Sequence, residues 1–71
     1  MEQATVYRWN IQNGTGVLTR PNGSPVWFHL SSVAQDDVLT LREGDLVDVE
    51  VENTPQGGYE SRAISVRRHV T

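Results

Sequence analysis

Short runs of alternating apolar and polar residues cover most of the chain, and clusters of turn-forming residues separate them. The run Val26-Trp27-Phe28-His29-Leu30 is rich in aromatic and β-branched residues, which is typical of a strand. The run from Leu46 to Glu52 alternates with a period of two, which places Val47, Val49 and Val51 inward and three carboxylates in water. Turn signals lie at residues 13–14, 21–25, 43–45 and 54–58. This rhythm predicts an all-β protein.

Three further runs complete a set of five predicted strands, namely Thr5 to Trp9, Gly16 to Thr19 and Ala63 to Val66. Asn13-Gly14 predicts a tight hairpin turn between the first two strands, because both residues tolerate a positive φ. After the third strand we expect a single helical turn with Ser31 or Ser32 as its N-cap. Five short antiparallel strands close most economically as a barrel, since an open sheet would leave two long unpaired edges.

The length and composition of the chain limit what this barrel can do. Its 71 residues, 37% of them hydrophobic, suffice for one small domain with a thin core but not for an enclosed catalytic cleft. The absence of cysteine excludes a disulfide framework, a thiolate nucleophile and a sulfur-ligated zinc. We therefore predict one domain over residues 1–71, with 67–71 as a mobile tail, that is not an enzyme and uses no cofactor or metal.

The sequence shows no sorting or membrane segment. Residues 1–5 have neither the basic start nor the apolar stretch of a secretory signal. No run reaches the roughly 20 apolar residues that span a bilayer. We expect a cytoplasmic protein with no membrane contact.

Charge is distributed unevenly along the chain. The formal net charge is -3, which by itself disfavours binding to nucleic acid. Residues 1–35 carry +1 and residues 53–71 carry +2, whereas residues 36–52 carry -6. The acidity therefore comes from one segment. All six basic residues are arginines, whose planar guanidinium suits stacking and two-point contacts with phosphate.

The third strand carries the clearest candidate for a contact surface. If Val26 and Phe28 face the core, Trp27 and His29 face solvent together. An exposed tryptophan favours a binding role over simple packing, which is the alternative interpretation. Metal binding by His29 is disfavoured, because the only other histidine is His69 and there is no cysteine.

The orientation of Arg8 needs an explanation. Alternation from an inward Val6 would point the guanidinium into the core, where an unpaired charge is costly. A bend or bulge in the first strand would bring Arg8 to the surface, where it either contacts a binding partner or forms a salt bridge.

The segments 5–10, 13–19, 26–31, 41–45 and 47–52 carry a wider pattern, which includes Asn13-Gly14-Thr15-Gly16-Val17-Leu18 and Val26-Trp27-Phe28-His29-Leu30. Their order and spacing resemble a bacterial cold-shock domain over nearly the whole chain. The resemblance implies a five-stranded antiparallel oligonucleotide-binding (OB) barrel. In that family the barrel binds single-stranded DNA or RNA by stacking bases on aromatics of strands two and three, and it acts as a nucleic-acid chaperone.

The sequence departs from the family pattern on that binding face. Arg8 stands where the family usually has a tryptophan, Asn13 replaces a lysine, and aromatic positions are occupied by Thr15, Val17, Leu30 and Val38. Trp9, Trp27 and His29 are retained as rings. Trp9 either covers the barrel or stacks on a base, and the sequence favours neither role over the other. Stacking of a base on a ring contributes about 1–3 kcal/mol, so these departures predict weakened binding.

Our primary hypothesis is a divergent cold-shock-like barrel that binds single-stranded DNA or RNA weakly and in a salt-sensitive manner. The predicted contact residues are Arg8, Trp9, Thr15, Val17, Arg20, Trp27, His29, Leu30, Tyr59 and Arg62. The alternative is a barrel that has lost nucleic-acid binding and presents the altered face to a protein partner. We expect a monomer, and self-association through the same face is a further alternative.

Overall fold

The computed structural model describes residues 2–55 and 57–69, which form five strands joined by short connections. The strands are β1 (Glu2–Asn10), β2 (Thr15–Thr19), β3 (Pro25–His29), β4 (Leu46–Glu52) and β5 (Arg62–Arg68). Two single-turn 3₁₀ helices, Leu30–Ser32 and Gln35–Asp37, follow β3. Within the described ranges no helix has the length and apolarity needed to cross a bilayer. The strands close into a barrel in the order β1-β2-β3-β5-β4, which confirms the predicted OB architecture.

Closure of the barrel joins strands that are distant in sequence. β1, β2 and β3 form an antiparallel meander, and β4 pairs antiparallel with both β1 and β5. β3 and β5 run parallel, with Trp27 opposite Arg62 and Phe28 opposite Ala63. The prediction of a wholly antiparallel barrel is therefore wrong at this seam. A parallel pair needs a long crossover, and the segment between β3 and β5, which includes β4, provides it.

The turn between β1 and β2 is wider than the predicted two-residue hairpin. Pairing ends with Asn10 opposite Thr15, which leaves a four-residue loop. The side-chain oxygen of Asn10 accepts hydrogen bonds from the backbone N–H groups of Gln12 and Asn13 at 3.1 and 3.2 Å. Within this loop only Gly14 has a positive φ, of 69°. Asn10 organises the turn through its side chain, so Asn13 keeps an ordinary backbone conformation.

The core consists of inward-facing side chains from all five strands. The largest fully buried ones are Phe28, Leu18, Val6, Val26, Val47, Val49 and Val66. Burial of each such side chain stabilises the fold by about 1.5–3 kcal/mol. Val47 and Val49 face inward as predicted, whereas Val51 is only half-buried because the β4–β5 register shifts between Glu50 and Val51.

β1 contains the bulge that a surface position for Arg8 requires. Val6 pairs with Leu18 and Arg8 pairs with Val17, so Tyr7 is the extra residue. Val6 is buried, whereas Tyr7 and Arg8 are both exposed. The predicted bend or bulge is confirmed. Uninterrupted alternation would have turned the guanidinium into the core.

β5 is longer than predicted, and this corrects the expectation of a mobile tail from residue 67. Arg67 pairs with Asp48 and Arg68 pairs with Val47. The backbone N–H of His69 donates to the carbonyl of Leu46 at 3.0 Å, and its Nδ1 lies 3.1 Å from the Asp48 carboxylate. Apolar alternation ends at Val66, but backbone pairing with β4 carries the strand further. The last two residues of the predicted tail lie outside the described residues.

Candidate nucleic-acid interface

Four outward-facing residues form a continuous row across neighbouring strands. Arg8 of β1 lies opposite Val17 of β2, and Val17 lies opposite Trp27 of β3. Trp27 in turn lies opposite Arg62 of β5. Adjacent strands are about 4.8 Å apart, so the row spans roughly 15 Å. It places an indole and an aliphatic side chain between two guanidinium groups.

Trp27 and His29 supply the aromatic part of this surface. Val26 and Phe28 are buried, Trp27 is half-buried and His29 is exposed, which confirms the predicted alternation. The two rings lie with centroids 6.1 Å apart and planes inclined by 30°. Gly57, in the loop between β4 and β5, packs so closely that a Cβ there would lie 2.7 Å from the indole Nε1. This loop covers the Nε1 edge of the indole.

Hydrogen bonds from Ser31 orient the imidazole of His29. Nδ1 accepts from the Ser31 N–H at 3.0 Å and lies 2.9 Å from the Ser31 hydroxyl. His29 is therefore the N-cap of the first 3₁₀ helix, and the prediction of Ser31 or Ser32 as the cap is wrong. Because Nδ1 is an acceptor, the neutral ring carries its proton on Nε2, on the side of Gly14. His29 offers an N–H donor at the surface.

The two arginines of the row have different surroundings. Arg8 makes no ion pair within residues 2–55 and 57–69, and its Cζ lies 5.7 Å from the centre of the Tyr7 ring. Arg62 lies 3.3 Å from the carboxylate of Glu52. A hydrogen bond from Thr54, and next the charge of Arg62, lower the pKa of Glu52 below that of an ordinary glutamate. Glu52 is thus ionised at neutral pH and competes with phosphate for Arg62.

Trp9 belongs to the end of the barrel and not to the row. Its indole stacks on Phe28 with centroids 5.1 Å apart and packs against the buried core. It lies opposite Gly16, on the inner side of β1. Its Nε1 is buried and has no hydrogen-bond partner in the described part of the chain. This packing is the covering role predicted for Trp9, and stacking on a base stays a prediction.

Of the remaining predicted contact residues, Thr15 and Leu30 lie beside the row, whereas Arg20 and Tyr59 do not. Thr15 is opposite His29, and Leu30 is half-buried beside Gly14. Arg20 forms a two-point salt bridge with Glu2, with distances of 2.7 and 2.8 Å. Tyr59 lines a depression together with Arg20. Since Thr19 is opposite Pro25, this depression lies at the other end of β3 from His29.

The sequence did not lead us to predict several contacts of the proposed contact residues. Glu2 and Glu52 form salt bridges with two arginines among the predicted contact residues. Ser31 orients His29, and Gly57 packs on Trp27. Alternation identifies which side chains point outward but not which of them meet. The opposite charges of Glu52 and Arg62, which flank the β4–β5 connection, were the one available signal for their pairing.

Known proteins are similar to this chain in sequence over nearly its whole length. It is 37% identical to cold shock protein CspC of Bacillus subtilis over 68 residues, which cover 96% of the chain and 98% of that relative. The chain belongs to the cold shock protein family. A scan of protein-family models gave no match.

Two further relatives also belong to the cold shock proteins. The cold shock-like protein CspA of Shewanella violacea is 38% identical over 63 residues, which cover 87% of the chain and 90% of the relative. Cold shock protein 1 of Lactiplantibacillus plantarum is 33% identical over 64 residues, which cover 90% and 97%. The resemblance inferred from the sequence segments is confirmed.

Proposed function

We propose that this cold shock protein binds single-stranded nucleic acid on the face formed by β1, β2 and β3. The observation that carries the proposal is the row of Arg8, Val17, Trp27 and Arg62, with His29 beside it. Rings stack on bases of any sequence, and flanking cations attract phosphates. A base stacked on Trp27 is withdrawn from base pairing. The protein therefore acts as a chaperone or regulator of nucleic-acid structure without covalent chemistry.

We further propose that this binding is weak, in the micromolar range or above. Val17 occupies the centre of the row without a ring, and Thr15 and Leu30 lie beside His29 without one. Each stacked base contributes about 1–3 kcal/mol, so three absent rings remove several kcal/mol of binding free energy. Every 1.4 kcal/mol is about tenfold in affinity. The pairing of Arg62 with Glu52 weakens the phosphate contact further.

Removing the indole of Trp27 tests this proposal directly. We expect oligothymidine, titrated at low salt, to quench tryptophan emission and to shift the amide resonances of Val17, Trp27 and His29. The Trp27→Ala variant is expected to lose about 5- to 150-fold in affinity, the equivalent of one stacked base. Trp27→Phe, which keeps a ring, is expected to retain most of the affinity.

The matched control is Leu46→Ala, which removes an exposed apolar side chain on β4, outside the row. This variant is expected to bind as the wild type does. Urea unfolding of each variant separates a loss of binding from a loss of fold. Unchanged emission and unchanged amide resonances at high micromolar oligonucleotide would contradict the proposal.

The second candidate function is contact with a protein partner through the same face. It is favoured by the aliphatic centre of the row, Val17, and by the ring-free Thr15 and Leu30 beside His29. Ionic strength distinguishes the two functions. Binding to nucleic acid weakens steeply as salt rises, through release of counterions, whereas an aliphatic protein contact is almost insensitive to salt. Sedimentation at two concentrations detects self-association through this face.

A further inference from the structure

Two exposed aliphatic side chains lie together at one end of the barrel. Ile11 and Leu39 are 45% and 81% exposed, and both line a depression of about 540 Å³. Ile11 belongs to the loop between β1 and β2, and Leu39 to the connection between β3 and β4. Apolar side chains that pack in or against the core also line the depression, namely Trp9, Val38 and Leu41. An apolar patch of this kind on a small domain marks a contact surface.

Backbone hydrogen bonds fix the turn that carries Leu39. The carbonyl of Asp37 accepts from the N–H groups of Thr40 and Leu41 at 3.2 and 2.9 Å. Leu41 is buried in the core. Leu39 therefore stands at the rim of the depression on an ordered turn. A contact made there has little backbone conformational entropy to lose.

Two exposed side chains of opposite charge, Arg42 and Glu43, complete the lining of the depression. Neither forms an ion pair within residues 2–55 and 57–69. The acids that precede Leu39, Asp36 and Asp37, line a different depression. The surface around Leu39 thus offers one unpaired charge of each sign beside an apolar centre.

This balance of charge decides between the possible occupants. Single-stranded nucleic acid needs an excess of positive charge, and Glu43 cancels the charge of Arg42. A strongly acidic or strongly basic partner is attracted by one of the two side chains and repelled by the other. A second copy of the chain matches both. In a contact with twofold symmetry each copy uses the same patch, so Arg42 of one can face the partner's Glu43 and the reverse.

We propose that this cold shock protein forms a dimer through the barrel-end patch, defined as Ile11, Leu39, Arg42 and Glu43 around the depression. Leu39 of each copy enters the depression of the other, and the two Arg42–Glu43 pairs flank the apolar contact. Among the described residues, those that line the depression include no member of the row. The dimer therefore goes beyond the proposed function and does not rest on it. It differs from the monomer that the sequence led us to expect.

The size of the patch predicts a weak dimer. A stable interface buries about 800 Å² on each partner. The accessible surface of the chain is 4599 Å², and the barrel-end patch holds only a few of its side chains. Contacts below the size of a stable interface are typical of transient complexes, and we expect dissociation in the range of about 0.1–1 mM.

Sedimentation equilibrium of the whole chain, without nucleic acid, tests the dimer. The average mass of the wild type is expected to rise with concentration towards that of two copies. The amide resonances of Ile11 and Leu39 are expected to shift over the same range. Leu39→Ser is expected to weaken the association at least about tenfold, as the loss of an anchoring side chain does.

The matched control is Leu46→Ser, which removes an exposed leucine from a different depression. This variant is expected to associate as the wild type does. Urea unfolding of Leu39→Ser and Leu46→Ser checks the fold, which substitution of an exposed side chain is expected to leave intact.

Reversal of the two charges tests the twofold arrangement. Arg42→Glu and Glu43→Arg are each expected to weaken the association about three- to tenfold, because like charges then face each other. The double variant restores both pairs and keeps the net charge of the wild type. It is expected to associate within about twofold of the wild type. Two weakened single variants without recovery in the double variant would overturn the twofold dimer.

Other results separate the dimer from the proposed function. If the wild type sediments as a monomer up to about 1 mM, or if Leu39→Ser associates as tightly as the wild type, the dimer is overturned. Binding of nucleic acid at the row stands or falls by the separate titration of Trp27. If oligothymidine shifts Ile11 and Leu39 at constant protein concentration while dilution does not, the depression binds nucleic acid and the dimer is likewise overturned.

Discussion

At the scale of single residues, the absence of a side chain at Gly16 allows two aromatic rings to pack inside the barrel behind the proposed binding face. Gly16 is opposite Trp9 on one side and Phe28 on the other. A Cβ at this position would lie 2.5 Å from the Phe28 ring and 2.6 Å from the carbonyl oxygen of Arg8. The missing Cβ is what allows Phe28 to lie flat beneath Trp9.

Gly16→Ala is therefore expected to destabilise the barrel. The added methyl group must displace a buried ring or a strand backbone, and such overpacking lowers the free energy of unfolding by about 1–3 kcal/mol. Urea denaturation measures this change. Thr15→Ala, on the same strand with its side chain on the outer face, is the control and is expected to change stability by less than about 1 kcal/mol. Equal unfolding midpoints for the two variants would show that Phe28 has room to move.

At the scale of secondary-structure elements, β4 and β5 form an ion pair at the edge of the proposed binding face. Glu52 is the last residue of β4 and Arg62 the first of β5, and the two are register partners. The lowered pKa of Glu52 shows that the folded protein favours the ionised carboxylate. The stabilisation from this group is present above the pKa of an unperturbed glutamate and is lost as pH falls through the lower folded pKa.

Glu52→Gln is expected to remove this part of the pH dependence. The variant should be less stable than the wild type near pH 7, and the difference should shrink as pH falls below roughly 4.3, the unperturbed value for glutamate. Thermal unfolding at several pH values measures the difference. Glu50→Gln removes a carboxylate that makes no ion pair among the residues described, and serves as the control. A difference that stays constant with pH would disprove the role of Glu52.

Also at this scale, the sequence predicted the bulge within β1 correctly but not the length of the loop that follows β1. The bulge in β1 was foreseen, because a regular strand would have buried a guanidinium. The four-residue loop after β1 was not, because Asn10 organises it through side-chain hydrogen bonds that compete with the Asn13-Gly14 hairpin preference. His29, and not one of the two serines, is the N-cap of the first 3₁₀ helix, because its Nδ1 accepts a hydrogen bond from the Ser31 N–H.

At the scale of the whole molecule, folding pairs part of the acidic segment with the far end of β5 and so separates it from the row. Arg68 lies at the far end of β5 from the row, where its guanidinium is 3.8 Å from Asp45 and its backbone N–H donates to Asp37 at 3.0 Å. Much of the acidic segment 36–52 therefore faces the basic end of β5. Arg8, which belongs to the row, has no carboxylate partner within the described ranges. A protein of net charge -3 can thus carry an unpaired positive charge on the proposed binding face.

This separation predicts how binding depends on salt. If Arg8 and Arg62 contact phosphates, the logarithm of the association constant for a single strand should fall with the logarithm of salt concentration with a slope of about -1.4, or roughly -0.7 for each contact. Arg8→Gln is expected to reduce the magnitude of the slope by about 0.7. Fluorescence titrations at several salt concentrations measure it.

Arg67→Gln makes the same change of charge on the part of β5 that pairs with Asp48, away from the row. It is the matched control, and its slope is expected to equal that of the wild type. If both variants change the slope equally, net charge and not the row attracts the strand.

The sequence by itself determined the all-β class, the five strands, the outward position of Trp27 and His29, and the family. The first three follow from period-two alternation, which acts over a few neighbouring residues, whereas the family follows from the order and spacing of the segments that resemble a cold-shock domain. Only the tertiary structure decided that Trp9 covers the core, that Arg20 and Arg62 are paired with carboxylates, and that β5 continues past Val66. Those outcomes depend on which strands become neighbours when the barrel closes, and closure brings together residues whose partners no local pattern specifies.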